Sequence, residues 1–586
     1  MKRSWICVLW ALFCLTSSCR PCRGQFGIWS WLLGCGLVVG AGIFRASAAD
    51  QPQWGQAWSR NMVSEEKDLP DSFDPKTGRN IKWTVQLGTE THSTPIVAGG
   101  RIYIGTNNGT PRDPKHQGDR GVLMCFEEKT GNLLWQFVVP KREEDPYFDW
   151  PKTGMSSPVT VEGARVYLTD NRGEVVCLDA EGMANGNAGP FRDEGAHMTP
   201  PKGSGAPPKP VAGAQIQPEP LRAPVDGTAL EAGPLDADIV WLFDLPSGAD
   251  IWPHDGAHSS ILIQGDHLYV NTATGVDNTH KRIRAPNAPS LVVIDKCTGN
   301  LVTRDDEHIA PDIFHCTWSS PSSGEVNGRP LIFFGGGNGV LYAFEAINPP
   351  LAPPGRGTET EGGASSDKAP LPGGYSRVAD RTKTLKKVFQ FDFDPTAPKE
   401  NIHQYLSNRR EGPSNFYGMP VFYRNRIYLA GGGDLFWGKT EAWLKCIDAT
   451  KTGDITTNGL VWTYPLQKHV MSTPAIYDGL VFIADCGRAF HCVDAETGKP
   501  YWTEEIKGEA WASPLVADSK VYLGTRSGDF YVFAASKEKK VLAHVELGNP
   551  ISATATAANG VLYVATMTRL YALQSGVNSK SVDDSR

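Results

Sequence analysis

Two short segments carry most of the chemistry-bearing side chains. Trp252-Pro253-His254-Asp255-Gly256-Ala257-His258 supplies two imidazoles and a carboxylate, and His315-Cys316-Thr317-Trp318 adds an imidazole beside a thiol. Imidazole with thiolate suits zinc or copper, so His254, His258, His315 and Cys316 are the candidate ligands. No close-spaced pair of known metal geometry accompanies them, and the sequence assigns no metal. His92-Ser93 and His258-Ser259 place a base next to a hydroxyl, but adjacent residues on a strand face opposite sides, so neither is a catalytic pair. There is no nucleophile elbow, phosphate loop or HExxH helix, and the sequence names no catalytic residue.

Both segments sit at the same place in a repeated unit. The unit is clearest at Cys492-Val493-Asp494-Ala495-Glu496-Thr497-Gly498-Lys499-Pro500-Tyr501-Trp502, and its frame recurs at Cys125, Glu127, Thr130, Gly131 and Trp135. A unit this short cannot bury its own apolar face and must stack on copies of itself. Each copy reads as four short strands. The first follows a small polar pair, often before proline, as in Ser93-Thr94-Pro95, Ser156-Ser157-Pro158 and Ser472-Thr473-Pro474. The second alternates with period two, as in Arg101-Ile102-Tyr103-Ile104. After a polar glycine turn, the third holds a small residue in a fixed slot, and the fourth carries tryptophan at Trp83, Trp135, Trp241, Trp462 and Trp502, with degenerate versions at Val302, Phe389 and Leu542. Eight copies lie between Ile81 and Leu573, which predicts an all-β, eight-bladed β-propeller of four-stranded blades.

The slot holds Cys125, Cys177, Cys446 and Cys492 in four copies and Val293, Ala343, Val532 and Ala572 in the others. Only small apolar residues fit, so these cysteines are read as core and not as ligands. Three segments break the rhythm. Residues 50–80 precede the first repeat and are expected to pack across one face. Residues 183–237 and 347–384, dense in Pro, Gly and Ala, read as mobile insertions. The propeller is thus expected over 81–575, with a tail at 576–586.

Residues 1–49 contain five basic side chains, no acid, and two apolar runs, with small residues at Ala46-Ser47-Ala48-Ala49. This reads as a cleaved export signal. An uncleaved anchor through Ile28–Phe44, or lipidation at Cys35, is the other route to membrane association. Export places the protein in the periplasm, the cell envelope or the medium. Loss of those five positive charges takes the formal net charge from −7 to −12, which argues against nucleic acid and anionic membrane surfaces as partners. Of 12 cysteines five lie in the leader, leaving an odd number and excluding a complete disulfide framework.

The small-x-acid-x-x-Thr-Gly-x-x-x-Trp frame resembles the tryptophan-docking repeat of the pyrroloquinoline-quinone (PQQ) propeller family, over nearly the whole chain after the leader. The resemblance implies outermost strands whose tryptophan rings lie against the next blade, with Trp135 and Trp502 at seams and Gly131 and Gly498 as flat stacking surfaces. It also implies a choice between PQQ-dependent dehydrogenases and propellers without cofactor, such as outer-membrane assembly scaffolds. Many of the dehydrogenases hold the quinone with two adjacent cysteines; this chain has no Cys-Cys pair, and their calcium ligands and catalytic Asp match no residues here. The expected function is therefore a monomeric binding or scaffold module for an unidentified protein or small molecule. A PQQ- or metal-dependent oxidoreductase (PQQ with Ca²⁺) is the first alternative, and an outer-membrane assembly partner the second.

The frame also locates the site. The residue before each innermost strand points into the central funnel, which gives His92, Met155, His258, Trp318, Tyr417, Met471, Trp511 and Ile551. Aromatic walls with a few polar groups are the usual setting for a ligand, so His92, His258, Trp318, Tyr417 and Trp511 are the funnel candidates. Turns between second and third strands are expected on the same rim, bringing Asn107, Asn171, Asn338, Asp434 and Asp485 there. Arg172, Arg488 and Arg526 join them as candidates for bidentate recognition of an anion.

Overall fold

Each blade begins at the axis with a short strand, such as Ile96–Ala98, and ends at the rim with a strand that carries tryptophan in five blades, as in Leu133–Pro140. The computed structural model describes residues 49–142, 150–187, 189–200, 228–256, 258–347 and 383–579. These form eight sheets, one per repeat, antiparallel except where Phe389 and Gln390 pair in parallel with Gly453 and Asp454. The leader up to residue 48 and the central parts of both insertions lie outside the described residues.

The ring closes by exchange of termini. Arg79–Gln86, the strand bearing Trp83, pairs with Arg569–Asn578 and completes the eighth blade, with Trp83 opposite Ala572. The last strand therefore runs through Asn578, past the expected boundary at 575. Closure of this kind leaves only short, protected strand edges.

The tryptophans seal the seams as the resemblance implies. Trp83 Nε1 donates to the Glu128 carbonyl, Trp135 to Ala180, Trp462 to Ala495 and Trp502 to Ser536, each on the following blade. A Cβ on Gly498 would lie 2.6 Å from the Trp462 ring, and one on Gly131 would lie 2.9 Å from that of Trp83; only glycine allows the ring so close. The small slot faces the tryptophan of its own blade: Cys125 pairs with Trp135, Cys177 with Trp241, Cys446 with Trp462 and Cys492 with Trp502. All four cysteines are buried, and burial pushes the thiols of Cys177, Cys446 and Cys492 up to about 12. They are packing residues.

The small polar pairs form a girdle near the axis. The Ser260 amide donates to Ser320 Oγ, Met419 to Thr473 Oγ1, Thr473 to Ser513 Oγ, Ser513 to Thr554 Oγ1 and Thr554 to Thr94 Oγ1. Each hydroxyl satisfies a backbone donor on the preceding blade where the narrow channel leaves no room for a further strand.

Residues 49–66 thread across one end of the channel and reach the inner strands of the whole ring. Gln51 bridges to Val97 and Val63 to Val516; Val161 donates to Pro52, Ser323 to Trp58 and Phe422 to Ser59. Arg60 is fully buried at the centre: Nε donates to Pro321 O, Nη1 to Trp54 O and Ser260 Oγ, and Nη2 to Ser260 O and Ile261 O. Asn61 exchanges two hydrogen bonds with the Ile476 backbone. This segment is a plug.

The described flanks of the first insertion are folded, which differs from the expectation of a mobile loop beginning at 183. Phe191 and Met198 are buried, His197 bonds Glu174 at 2.8 Å, and Arg120 Nη1 donates to the Met198 carbonyl. The apolar residues Phe191 and Met198 anchor them, and these were outweighed by the surrounding Pro and Gly in a reading from composition.

Candidate functional site

The plug occupies the far ends of the inner strands, so the residues preceding those strands surround a pocket closed at its floor. The cavity holds about 590 Å³. His92, His258, Trp318, Tyr417, Met471 and Trp511 of the expected ring all line it. Met155 and Ile551 do not; both are buried in blade packing. Trp54 contributes from the plug, donating its Nε1 to Thr554 Oγ1.

The walls above the ring come mainly from two loops. Residues 272–290, between the second and third strands of blade three, bring in His280. The turn after Arg426–Gly433 in blade five brings in Leu435, Phe436 and Trp437. Asp434 organises that turn: its Oδ1 accepts from the amides of Phe436 (3.0 Å) and Trp437 (2.7 Å). Tyr417 reaches the axis because the inner strand of blade five is split into Ser414–Asn415 and Val421–Tyr423. Its hydroxyl donates to Asp434 Oδ2.

Aromatic rings line the space continuously. His258 lies 4.5 Å from Trp318, Trp318 5.2 Å from Tyr417, and Phe436 6.2 Å from both Trp318 and Trp511, centre to centre. His92 stacks on Trp511 and bonds Glu90 at 3.0 Å. The Arg526 guanidinium sits 4.5 Å over Trp511, with Nη1 donating to Ser552. Arg409 also lines the cavity, but its donors staple the 435–438 turn through the carbonyls of Leu435, Phe436 and Gly438.

Two expected arginines lie elsewhere. Arg172 stands 3.7 Å from Glu174 and Arg488 is exposed 3.5 Å from Glu505. Their turns are short and stay at the blade ends, whereas the longer loops of blades three and five fold inward over the axis. Asn107 and Asp485 tie their turns to the chain entering from the preceding blade, accepting from the amides of Thr89 and Gln467, and Asn338 donates to Tyr342 beside its own turn; of the rim residues only Asp434 and Arg526 join the site.

The histidines converge more closely than the sequence indicated. His254 and His315 bring their Nε2 atoms to 3.0 Å, and the His280 ring centre lies 4.9 Å from that of His254 and 5.1 Å from that of His315. Gly275 permits this approach: a Cβ there would come within 2.7 Å of the His254 side chain and the His315 carbonyl. His258 belongs to the Trp318 stack instead. Cys316 is buried with Sγ 3.8 Å from His315 Nδ1, on the opposite side of that ring from the Nε2 contact, and burial raises its thiol well above the usual range.

Charge is costly here. Burial pulls His254 and His280 down to about 3, and His258 to about 4. Burial acts the same way on His315, but the Asp434 carboxylate 2.8 Å from its Nδ1 outweighs it and raises the pKa. Burial would raise Asp434, yet His315 and Tyr417 hold it ionised, well below the usual carboxylate range. Asp255 is raised by burial, and its Oδ1 has no hydrogen-bond partner among the described residues.

Sequence reasoning missed His280, Phe436, Trp437 and Trp54 as funnel residues. The signal for the first three was loop length, since residues 272–290 and 434–441 replace short turns. Trp54 had none beyond its place in the extension.

Comparison with known proteins agrees with the fold. The family described as outer membrane protein assembly factor BamB matches residues 119–184 and 441–578. With eight four-stranded blades, five of them closed by a docked tryptophan, the match is consistent with the PQQ-repeat β-propeller superfamily. No curated protein matches the sequence. Among solved structures, BamB from Moraxella catarrhalis is similar over 85% of this chain and 98% of its own, at 11% identity and a TM-score of 0.45. A europium-containing methanol dehydrogenase is similar over 88% and 89%, at 13% identity and 0.47. The quinohemoprotein alcohol dehydrogenase from Comamonas testosteroni is similar over 92% and 82%, at 13% identity and 0.42. No helix among the described residues is long and apolar enough to cross a membrane.

Proposed function

We propose that the protein is an exported propeller that binds a small, planar, anionic molecule in its funnel. The observation that carries this reading is a floored cavity of about 590 Å³ whose walls are aromatic and whose guanidinium, Arg526, sits 4.5 Å over Trp511. Aromatic faces accept a flat ring by stacking, and a guanidinium offers paired donors to a carboxylate or phosphate. Export is supported by the basic, acid-free, apolar leader.

The donor set does not suit PQQ held through Ca²⁺. A hard ion of that kind takes several carboxylate and carbonyl oxygens. Here Asp434 is spent on His315, Tyr417 and two backbone amides, and Glu90 faces His92; the remaining donors are mainly imidazoles. A second reading, a protein scaffold, draws support from the match to the assembly-factor family, and co-purification with outer-membrane proteins would favour it.

The test is quenching of tryptophan fluorescence by planar aromatic carboxylates, with PQQ included both with and without Ca²⁺, alongside dye-linked oxidation of alcohols and sugars. Saturable quenching lost in Arg526→Ala supports the proposal. Turnover with PQQ and Ca²⁺ would replace it with the oxidoreductase reading, and absence of binding across the panel would sink it.

A further inference from the structure

The pairing of His254 with His315 poses a chemical problem. A neutral imidazole carries one N–H. His254 Nδ1 lies 2.9 Å from the Val276 carbonyl, which can only accept, so that nitrogen holds the hydrogen. His315 Nδ1 lies 2.8 Å from the ionised Asp434, with the same consequence. With a hydrogen on His315 Nδ1 alone, both Nε2 atoms would be lone-pair acceptors, and they face each other at 3.0 Å in a buried place. Such a contact is held either by a second hydrogen on His315, donated to His254, or by a metal ion beside the two nitrogens.

We propose that His254, His280 and His315 bind a divalent transition-metal ion, zinc by its preference for this donor set, with an open coordination position toward the funnel. Three observations converge on a metal. The ligating atoms of all three histidines lie within 4.8 Å of one another. Two nitrogens held at 2.0–2.1 Å by one tetrahedral ion stand about 3.3 Å apart, close to the observed contact. The supports are those of metal-binding histidines: a carboxylate on one Nδ1 and a backbone carbonyl on another, fixing tautomer and ring orientation. Three imidazoles leave a tetrahedral ion one position short, as in sites where the ion meets water or a ligand. All three rings line the cavity, and Asp255 Oδ2 stands 3.8 Å from His254 Nε2. The open position is thus available to an oxygen of a molecule in the funnel. This site stands whether or not the funnel takes a planar anion.

The competing account is a proton shared by His254 and His315, which leaves His280 without a role. The experiment separates the two. The full chain, freed of metal by chelator dialysis, is titrated with Zn²⁺, and with Co²⁺ to read the visible bands of a tetrahedral nitrogen site. One equivalent of Zn²⁺ and tetrahedral cobalt bands are expected. His280→Gln should weaken zinc by on the order of 100-fold or more, and Asp434→Asn, which removes only the support to His315, by about 10–100-fold. Thermal melts of both variants check that the fold persists, and Cys316→Ser is expected to retain the full equivalent. A folded wild-type chain that takes up less than half an equivalent overturns the proposal in favour of the shared proton. Loss of binding in Cys316→Ser with retention in His280→Gln overturns it in favour of a site built on Cys316 and Asp434.

Discussion

At one end of the propeller axis Arg60 is fully buried, and every nitrogen of its guanidinium finds an acceptor on the inner strands or the plug itself. At the other end His254 and His315 are equally buried, but their Nε2 atoms confront each other, and Asp255 Oδ1 lacks a partner among the described residues. Both ends had to bring polar groups out of water. Arg60 is satisfied by the protein alone, so its contribution is to stability and to a floor for the funnel. The histidine contact is held by a hydrogen that Asp434 favours on His315, or by an ion added beside the two nitrogens. An orphaned buried polar group costs roughly 1–3 kcal/mol, a cost that the Asp255 oxygen bears and the Arg60 guanidinium avoids.

The comparison can be broken most forcefully at the plug. Arg60→Met should leave four backbone carbonyls without their donor and destabilise the protein by about 3 kcal/mol or more; chemical denaturation measures it, and a loss below about 1 kcal/mol would mean the plug is dispensable. Asn61→Ala removes two hydrogen bonds to Ile476 and should cost about 1–2 kcal/mol by the same measurement. At the funnel the balance reverses. Trp511→Ala, at a partly exposed ring, should change stability by no more than about 1 kcal/mol while weakening a planar anion by about 10-fold, near 1.4 kcal/mol, read by calorimetric titration.

The smallest effect concerns pH. His258 has its folded pKa lowered to about 4, chiefly by burial, against about 6.5 in an unfolded chain. The unfolded state therefore binds more protons between these values. The stability His258 contributes is complete above about pH 6.5 and declines as pH falls toward 4. His258→Gln should flatten that part of the stability profile, and an unchanged slope would show that the ring is not desolvated.

Much of this was legible in the residues. The slot that accepts only Cys, Val and Ala, the Thr-Gly turn and the tryptophan at the eleventh place are all local consequences of stacking one blade on the next, and each survives intact in the seams. Six of the eight ring positions reach the cavity because the repeat frame sets their distance from the axis. Arg172 and Arg488 failed because a frame gives position along a blade but not how far a neighbouring loop folds over it. Cys316 falls outside the three-imidazole cluster because adjacency in sequence puts its sulfur on the Nδ1 side of His315, where with Asp434 it forms a second possible ligand group.

Blade number, seam chemistry and the location of the funnel thus belong to the repeat, since periodic burial is a local property that the chain writes out eight times. The floor of the funnel and the meeting of three histidines belong to the tertiary structure alone. Trp54 and Arg60 reach the axis only once the ring has closed around them. His254, His280 and His315 come from three separate segments on two adjacent blades, and Gly275 and the inward fold of residues 272–290 bring them together. No periodicity encodes that meeting, because it happens once.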